Sequence, residues 1–514
     1  MDLPGPGRAP APAPEGPPGR PCHTRGVTEP EVPPGGGVLP TRPILGGFHP
    51  DPTVCRVGDV FYLACSSFEY APGVPLFRSR DLVSWERVGS VMERPSQLVL
   101  SGAAPSSGVY APTLRRHDGT FFLVTTNVSD GPGHLLMTAT DPAGPWSDPV
   151  RIRGAGGIDP DLAWDGDGRC LLTWSDGGIR QAVLDPATGE LLSEPRSLWS
   201  GTGGRDPEGP HLYRVGRWWY LLVAEGGTGP GHAVAVARGP SPEGPFESCP
   251  HNPLLTARGT PGPVQNTGHA DLVQRPDGSW AAVFLGVRPS GSFPGWHVMG
   301  RETFAVDVAW RQGWPVVTGP VEPGEPPRVR ASLGKGTPGP DWVGAGVFPD
   351  RVLRWSGDRW RMSPPGGERV FVGRRQEHAT MTVRAGIDAD GDAGALEARV
   401  DPDHRFALEV GGGRVRAVVR IGPLTSVLGE APASADTVLE LRVEPSTAPE
   451  YSRERGPDVV VAAVRTPDGA TELARIDGRY LSTEVAGGFT GRLVGVSCGP
   501  GGTGVRFVEY LGGA

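Results

Sequence analysis

At 514 residues and 54.0 kDa the chain has room for two to four domains of roughly 100–200 residues each, and a small disulfide-stapled scaffold is excluded. A net charge of -8, a pI near 5.8 and the absence of a Lys/Arg block leave no electrostatic footprint for a phosphate backbone, so nucleic acid is excluded as a partner. Apolar runs fall far short of the ~18 residues a membrane helix needs, and the opening MDLPGPGRAPAPAPEGPPGR lacks the apolar core of a secretory signal, so the expectation is no membrane partner and a cytoplasmic location.

The first segment, 1–40, holds 12 Pro and 8 Gly and reads as a disordered leader. From residue 41 onward helical periodicity is missing, and short β-branched and aromatic runs alternate with Gly, Pro, Asp and Asn turns, the pattern of an all-β protein. Five segments share an apolar residue, a polar stretch, a Gly-containing turn and an aromatic-apolar strand: DPTVCRVGDVFYLAC from Asp51, APTLRRHDGTFFLVT from Ala111, DPDLAWDGDGRCLLTW from Asp159, EGPHLYRVGRWWYLLV from Glu208 and HADLVQRPDGSWAAVF from His269. A period of about 50 to 60 residues fits a four-stranded propeller blade, each match supplying its inner hairpin. The segmentation that follows is a five-bladed β-propeller over 41–318, a Pro/Gly-rich linker over 319–344, and an antiparallel β-sandwich of concanavalin or jelly-roll type over 345–514, built from runs such as ATMTVRAGI, RFALEVGG and RVRAVVRI.

The six cysteines, Cys22, Cys55, Cys65, Cys170, Cys249 and Cys498, lack metal spacing and read as buried thiols, with Cys55 and Cys65 a conjectural pair across a hairpin. Aligning the repeats on Val54, Leu114, Leu162, Leu212 and Leu272 places Asp51, Ala111, Asp159, Gly209 and His269 three positions upstream, with Glu208 one further. Inner strands of a propeller start around one axis, so four ionisable groups distant in sequence converge on a single funnel. Asp-Pro and Glu-Gly also start turns, which accounts for one such residue more easily than for the register of all four. Carboxylates gathered in a cleft without metal spacing suit general acid and base work, as in glycosidic bond hydrolysis, where one protonates the leaving oxygen and another activates water.

GFHPDPTVCRVGDVFYLACSSFEYAPGVPLFRSRDLVSWERV, GVYAPTL, GIDPDLAWD, EGPHLYRVGRWWYLLVAEGGT, GHADLVQRPDGSW and MGRETFAVDVAWRQGWPVV together resemble glycoside hydrolase family 43, the β-xylosidase and α-L-arabinofuranosidase group. The tail, with FALEVGG and DGRYLSTEVAGGFTGRLVGV, is similar to the C-terminal β-sandwich of that group, so the resemblance covers 41–514 almost throughout. It implies an exo-acting, inverting hydrolase releasing terminal β-D-xylose, α-L-arabinofuranose or both from oligosaccharides of hemicellulose. By motif, Asp51 matches the general base, Glu208 the general acid and Asp159 the residue that tunes the acid. Arg301 in MGRETF matches an arginine that reaches the sugar, against the alternative of a salt bridge to Glu302 or another surface acid. His269 matches a histidine near the axis, where some members of the wider family hold calcium or a water cluster; no metal or other cofactor is expected to be required. Phe68 corresponds to an aromatic wall of the pocket, and Phe489 in GGFTG is either its outer cover or part of a structural loop.

Val109-Tyr110-Ala111-Pro112 stands where many β-xylosidases of the group have Ile-Trp-Ala-Pro, so Tyr110 makes a smaller pocket wall, and an insertion found in some of them after TWSDGG is absent. Both departures bear on the leaving-group subsite. The alternatives are an endo-arabinanase-like hydrolase and a non-catalytic carbohydrate-binding propeller; retention of all three acids speaks against the second. Arg205-Asp206-Pro207 matches the RDP motif of fructan-cleaving propellers by chance, since their nucleophile motif is missing. The expected partner is an oligosaccharide substrate, and assembly into a homo-oligomer is neither required nor excluded.

Overall fold

Each of the five repeat segments forms the two inner strands of an antiparallel sheet, because Gly-containing turns let alternating apolar residues fold back on themselves. In a computed structural model, which describes residues 38–388, 394–467 and 469–513, these hairpins open five successive sheets. The inner strands are Thr53–Val57, Thr113–His117, Ile158–Trp164, Glu208–Val215 and Gln265–Gln274. Apolar clusters fill the gaps between neighbouring sheets, for instance Leu114, Leu123 and Met137 of the second blade with Leu76 and Val91 of the first. The expected leader lies outside the described residues as far as position 37.

The ring is closed by the chain just ahead of the first blade. Leu45 bridges Thr303, the Ile44 amide donates to the Thr303 carbonyl at 2.8 Å, and the His49 amide donates to the Arg301 carbonyl at 3.1 Å. Asp51 and Arg301, 250 positions apart, are thereby brought side by side.

The C-terminal region is two sheets, of eight and seven of its own strands, packed face to face over a core that includes Trp360, Leu396, Phe406, Leu441, Val460 and Tyr510. The fold is a five-bladed β-propeller followed by an antiparallel β-sandwich. Among the described residues helix is confined to Pro349–Val352, Thr483–Ala486 and a single turn at Gly478–Leu481. The stretch 319–344, read from its Pro and Gly as a linker, contains the strand Val329–Ser332, which pairs with Thr503–Gly512, and it buries Leu333 and Trp342 in the sandwich core. Pro and Gly there shape a tightly packed connection, because they flank residues apolar enough to be held.

Sheet hydrogen bonding also crosses between the two regions. Tyr70 and Ala71 of the first blade pair with Ala345 and Gly344 at the edge of one sandwich sheet. Phe48, Phe68, Tyr70, Val343, Phe371 and Leu493 form one buried cluster across this seam, worth on the order of 2 kcal/mol per large side chain taken out of water. Cys55 stands opposite Tyr62 in the first hairpin, and Cys55 and Cys65 are both free buried thiols, so the conjectured disulfide is not formed.

Candidate active site

Three inner strands carry one extra residue at the same place. The pairing register slips between Ile158 and Asp161, between Glu208 and His211, and between Gly268 and Asp271, each slip being a β-bulge. In four blades the residue at this point takes a left-handed backbone: Asp51 at φ 53°, Asp159 at 55°, Gly209 at 55° and His269 at 51°. Asp, His and Gly tolerate that conformation better than most residues, so backbone geometry and chemistry favour the same residue types here. Gly209 is further constrained by close approach, since a Cβ there would lie 2.9 Å from His269 Nε2. The second blade places Ala111 at this position and brings Tyr110 to the cluster instead.

Asp51 is buried and clamped. Arg301 Nη1 donates to its Oδ1 at 2.8 Å, the Ser66 hydroxyl donates to Oδ2 at 2.5 Å, and His269 Nδ1 stands 3.8 Å from Oδ1. Burial alone raises an acid, but Arg301, His269 and the Ser66 hydroxyl outweigh it and hold Asp51 below the usual carboxylate value. The opposite holds across the funnel. Burial first, then the Glu208 and Asp51 charges, push Asp159 well up against a single amide donor, Gly209 N–H at 3.0 Å. Glu208 is pushed up to about 7 by burial and by Asp51, against the more distant Arg301. Among the described residues no hydrogen bond reaches its carboxyl. The Glu208–Asp159 pair therefore retains a proton near neutrality while Asp51 is ionised.

The remaining expected residues join the same cluster. Arg301 makes its ion pair with Asp51, touches Thr228 Oγ1 at 3.3 Å, and lies 5.6 and 5.4 Å from the Phe68 and Phe489 ring centroids. Its neighbour Glu302 is taken instead by Arg288 at 2.6 Å, so an Arg301–Glu302 salt bridge is not formed. Phe68 stacks on Phe489 at 5.9 Å and packs against Tyr110 at 5.2 Å, so the GGFTG loop of the sandwich reaches the propeller and completes a three-ring wall. His269 is buried beside Asp51, and burial lowers it to about 4, so the ring is neutral. No group of three or more His, Cys, Asp or Glu among the described residues is arranged to hold a metal ion.

Several contributors escaped the sequence reading. Ser66, Thr228 and His232 lie outside the repeated segments; the His232 ring bonds the Asn266 carbonyl at 3.0 Å and leaves Nε2 buried without a partner. A second polar row, one position ahead of each apolar anchor, lies deeper along the inner strands: Thr53, Thr113, Asp161, His211 and Asp271. Asp271 accepts from Thr53 Oγ1 at 2.8 Å, Val54 N at 2.9 Å, Arg115 at 2.8 Å and the Tyr213 hydroxyl at 2.5 Å. Asp161 accepts from Arg115 at 2.8 Å and Leu212 N at 3.0 Å, and the same guanidinium reaches Thr53 Oγ1 at 3.4 Å and His211 Nδ1 at 2.9 Å, so it ties all five blades at the axis. This row was legible in the same alignment, two positions after the one that was read.

The matches to known proteins agree with this geometry. The model of glycosyl hydrolases family 43 matches residues 40–315. The chain is 36% identical to the non-reducing end α-L-arabinofuranosidase of Bacteroides ovatus over 88% of this chain and 90% of that relative. It is 46% identical to a xylosidase/arabinosidase of Butyrivibrio fibrisolvens over 54% of this chain and 56% of the relative. The crystal structure of a xylan β-1,4-xylosidase from Bacillus halodurans superposes with a TM-score of 0.82 at 28% identity, covering 92% of this chain and 99% of that one. A propeller with three acids at its axis, a sandwich that joins the pocket wall, and relatives matched across both regions make this chain a glycosidase that belongs to glycosyl hydrolase family 43.

Proposed function

We propose that the protein is an exo-acting, inverting hydrolase that releases terminal β-D-xylose, α-L-arabinofuranose or both from hemicellulose-derived oligosaccharides. The observation that carries this reading is the unequal treatment of three neighbouring carboxyls: Asp51 is clamped by Arg301 and Ser66, while Glu208 and Asp159 share a site without a cation of their own. In the reaction, ionised Asp51 takes a proton from water as its oxygen attacks the anomeric carbon, and protonated Glu208 gives its proton to the departing glycosidic oxygen. Asp159, crowded against Glu208, favours the protonated form of the pair and is held in place by the Gly209 amide. Water is consumed, sugar and alcohol are released, and proton exchange with solvent restores both acids.

Exo action is supported by the wall of Phe68, Tyr110 and Phe489, in which the sandwich loop covers one side of the funnel. The names of the relatives include both sugars. The test is kcat/KM on p-nitrophenyl β-D-xylopyranoside and p-nitrophenyl α-L-arabinofuranoside, with Asp51→Ala as control and proton NMR of the first-formed sugar. Turnover of at least one glycoside with inverted product supports the reading. Retained configuration, or no turnover of either, overturns it.

A further inference from the structure

Glu69 is a buried carboxylate that the proposed reaction leaves unused. It follows Phe68 and precedes Tyr70, at the seam where the first blade pairs with the sandwich, and its own carbonyl accepts from Gly346 N at 2.8 Å. Burial pushes its carboxyl up to about 7, with Arg399 too distant to form a hydrogen bond among those of the described residues. Among the described residues its carboxyl is hydrogen-bonded to the loop between the first and second blades, where the Ser106 amide donates to Oε2 at 3.0 Å.

Ser106 is itself unusual. It is buried and non-glycine, yet its backbone is left-handed at φ 62°, a conformation costing of order 1 kcal/mol that must be held from outside. Its hydroxyl accepts from the Phe489 amide at 2.8 Å, and its carbonyl lies 3.4 Å from the Tyr110 hydroxyl. Gly488 comes so close that a Cβ there would meet Ser106 Oγ at 2.3 Å. One residue thus fastens two of the three rings of the pocket wall, and Glu69 fastens that residue.

We propose that Glu69 is a positioning residue that acts through Ser106 to hold Phe489, and with it the sandwich side of the pocket, closed over the sugar. The bond from the Ser106 amide keeps the left-handed turn in place; the turn presents Oγ to the Phe489 amide; and the amide fixes the ring against Phe68 at 5.9 Å. Neither Glu69 nor Ser106 takes part in proton transfer. Their effect is on how firmly a sugar is enclosed before reaction, which appears in KM more than in kcat.

The inference rests on the glycosidase reading, so the experiment needs one readout that does not. The full-length Glu69→Ala, Ser106→Ala and double variants are compared with wild type in kcat and KM on the better aryl glycoside, and in amide hydrogen exchange of the segment 487–491. We expect each single variant to raise KM about tenfold with kcat within about threefold, and to speed exchange of that segment about tenfold. The double variant should be no worse than either single one, because the two act in series. Glu69→Gln, which keeps an acceptor for the Ser106 amide, should restore most of both effects. Unchanged exchange in Ser106→Ala, or additive effects in the double variant, overturns the proposal. Should Glu69→Ala fold poorly, Ser106→Ala and Glu69→Gln carry the test. Faster exchange in a protein inactive on both glycosides would retain the positioning role while removing the glycosidase reading.

Discussion

Two rows of acids stand at adjacent levels on the same inner strands, and their surroundings divide structure from chemistry. At the lower level Asp161 and Asp271 are saturated: together they accept from Arg115, Thr53, Tyr213 and two backbone amides. At the upper level Glu208 has no hydrogen bond among the described residues, and Asp159 has one amide donor and two acidic neighbours. A buried carboxylate with its acceptors filled stays ionised, and so serves as a fastener in the lower row and, in Asp51, as a base. One left short of donors is unstable as an anion and so becomes an acid. Asp159 and Asp161 stand two positions apart on one strand, which shows how little sequence distance separates a scaffold acid from a reactive one.

The contrast is broken most severely from the upper row. Asp51→Ala and Glu208→Ala should each lower kcat by about three orders of magnitude or more; Glu208→Ala should unfold close to wild type, whereas Asp51→Ala, which leaves Arg301 without its ion-pair partner, should unfold at a lower temperature. For Glu208→Ala the loss should shrink on substrates with good leaving groups, where acid assistance matters least. Steady-state rates on aryl glycosides of graded leaving-group acidity check both statements. A modest loss would remove the assigned roles.

Breaking the lower row should do the reverse. Asp271→Ala leaves Arg115 and the Tyr213 hydroxyl without their main partner and should cost about 3–5 kcal/mol of stability, read as a lowered denaturation midpoint. Any activity that survives in the folded fraction should keep a near-normal KM. If Asp271→Ala unfolds at the wild-type midpoint, the hub is not the fastener we describe.

A smaller effect sharpens the comparison through stability. Asp271 and Asp51 are held below their ordinary values, so what they contribute is present above the unfolded-chain pKa near 4 and is lost as pH falls through the lower folded value. Glu208 is raised, so its contribution is full below the unfolded value and is lost as pH rises toward about 7. Glu208→Gln does not titrate. It should therefore stabilise the protein by roughly 1–3 kcal/mol at pH 8 and by little at pH 4, measured as the shift in unfolding between the two pH values. Equal shifts at both would mean that the acid is not strained in the folded state.

Much of this was legible because a propeller repeats itself. Five anchors in register exposed Asp51, Asp159, Glu208 and His269, and the bulge that turns three of these positions toward the axis tolerates few residue types. What stayed hidden lies off the repeat. Ser66, Thr228 and His232 reach the site from loops that carry no periodic signal. The two-residue pairing of Tyr70–Ala71 with Gly344–Ala345 is too short to leave a pattern. The segment 319–344 looked like a linker because Pro and Gly mark turns whether or not the residues between them are buried, and here Leu333 and Trp342 are.

The most direct test of the division between clamped base and proton-retaining acid is the pH dependence of kcat/KM for wild type and Glu208→Gln on a glycoside with a good leaving group. We expect the wild-type profile to fall above about 7, as Glu208 loses its proton, toward the rate reached without acid assistance, and to hold on the acid side until Asp51 is protonated below its ordinary range. The alkaline fall should vanish in Glu208→Gln while the acid limb stays. An alkaline limb of the same position and slope in both proteins would assign that proton to another group and contradict the assignment of Glu208 as the acid.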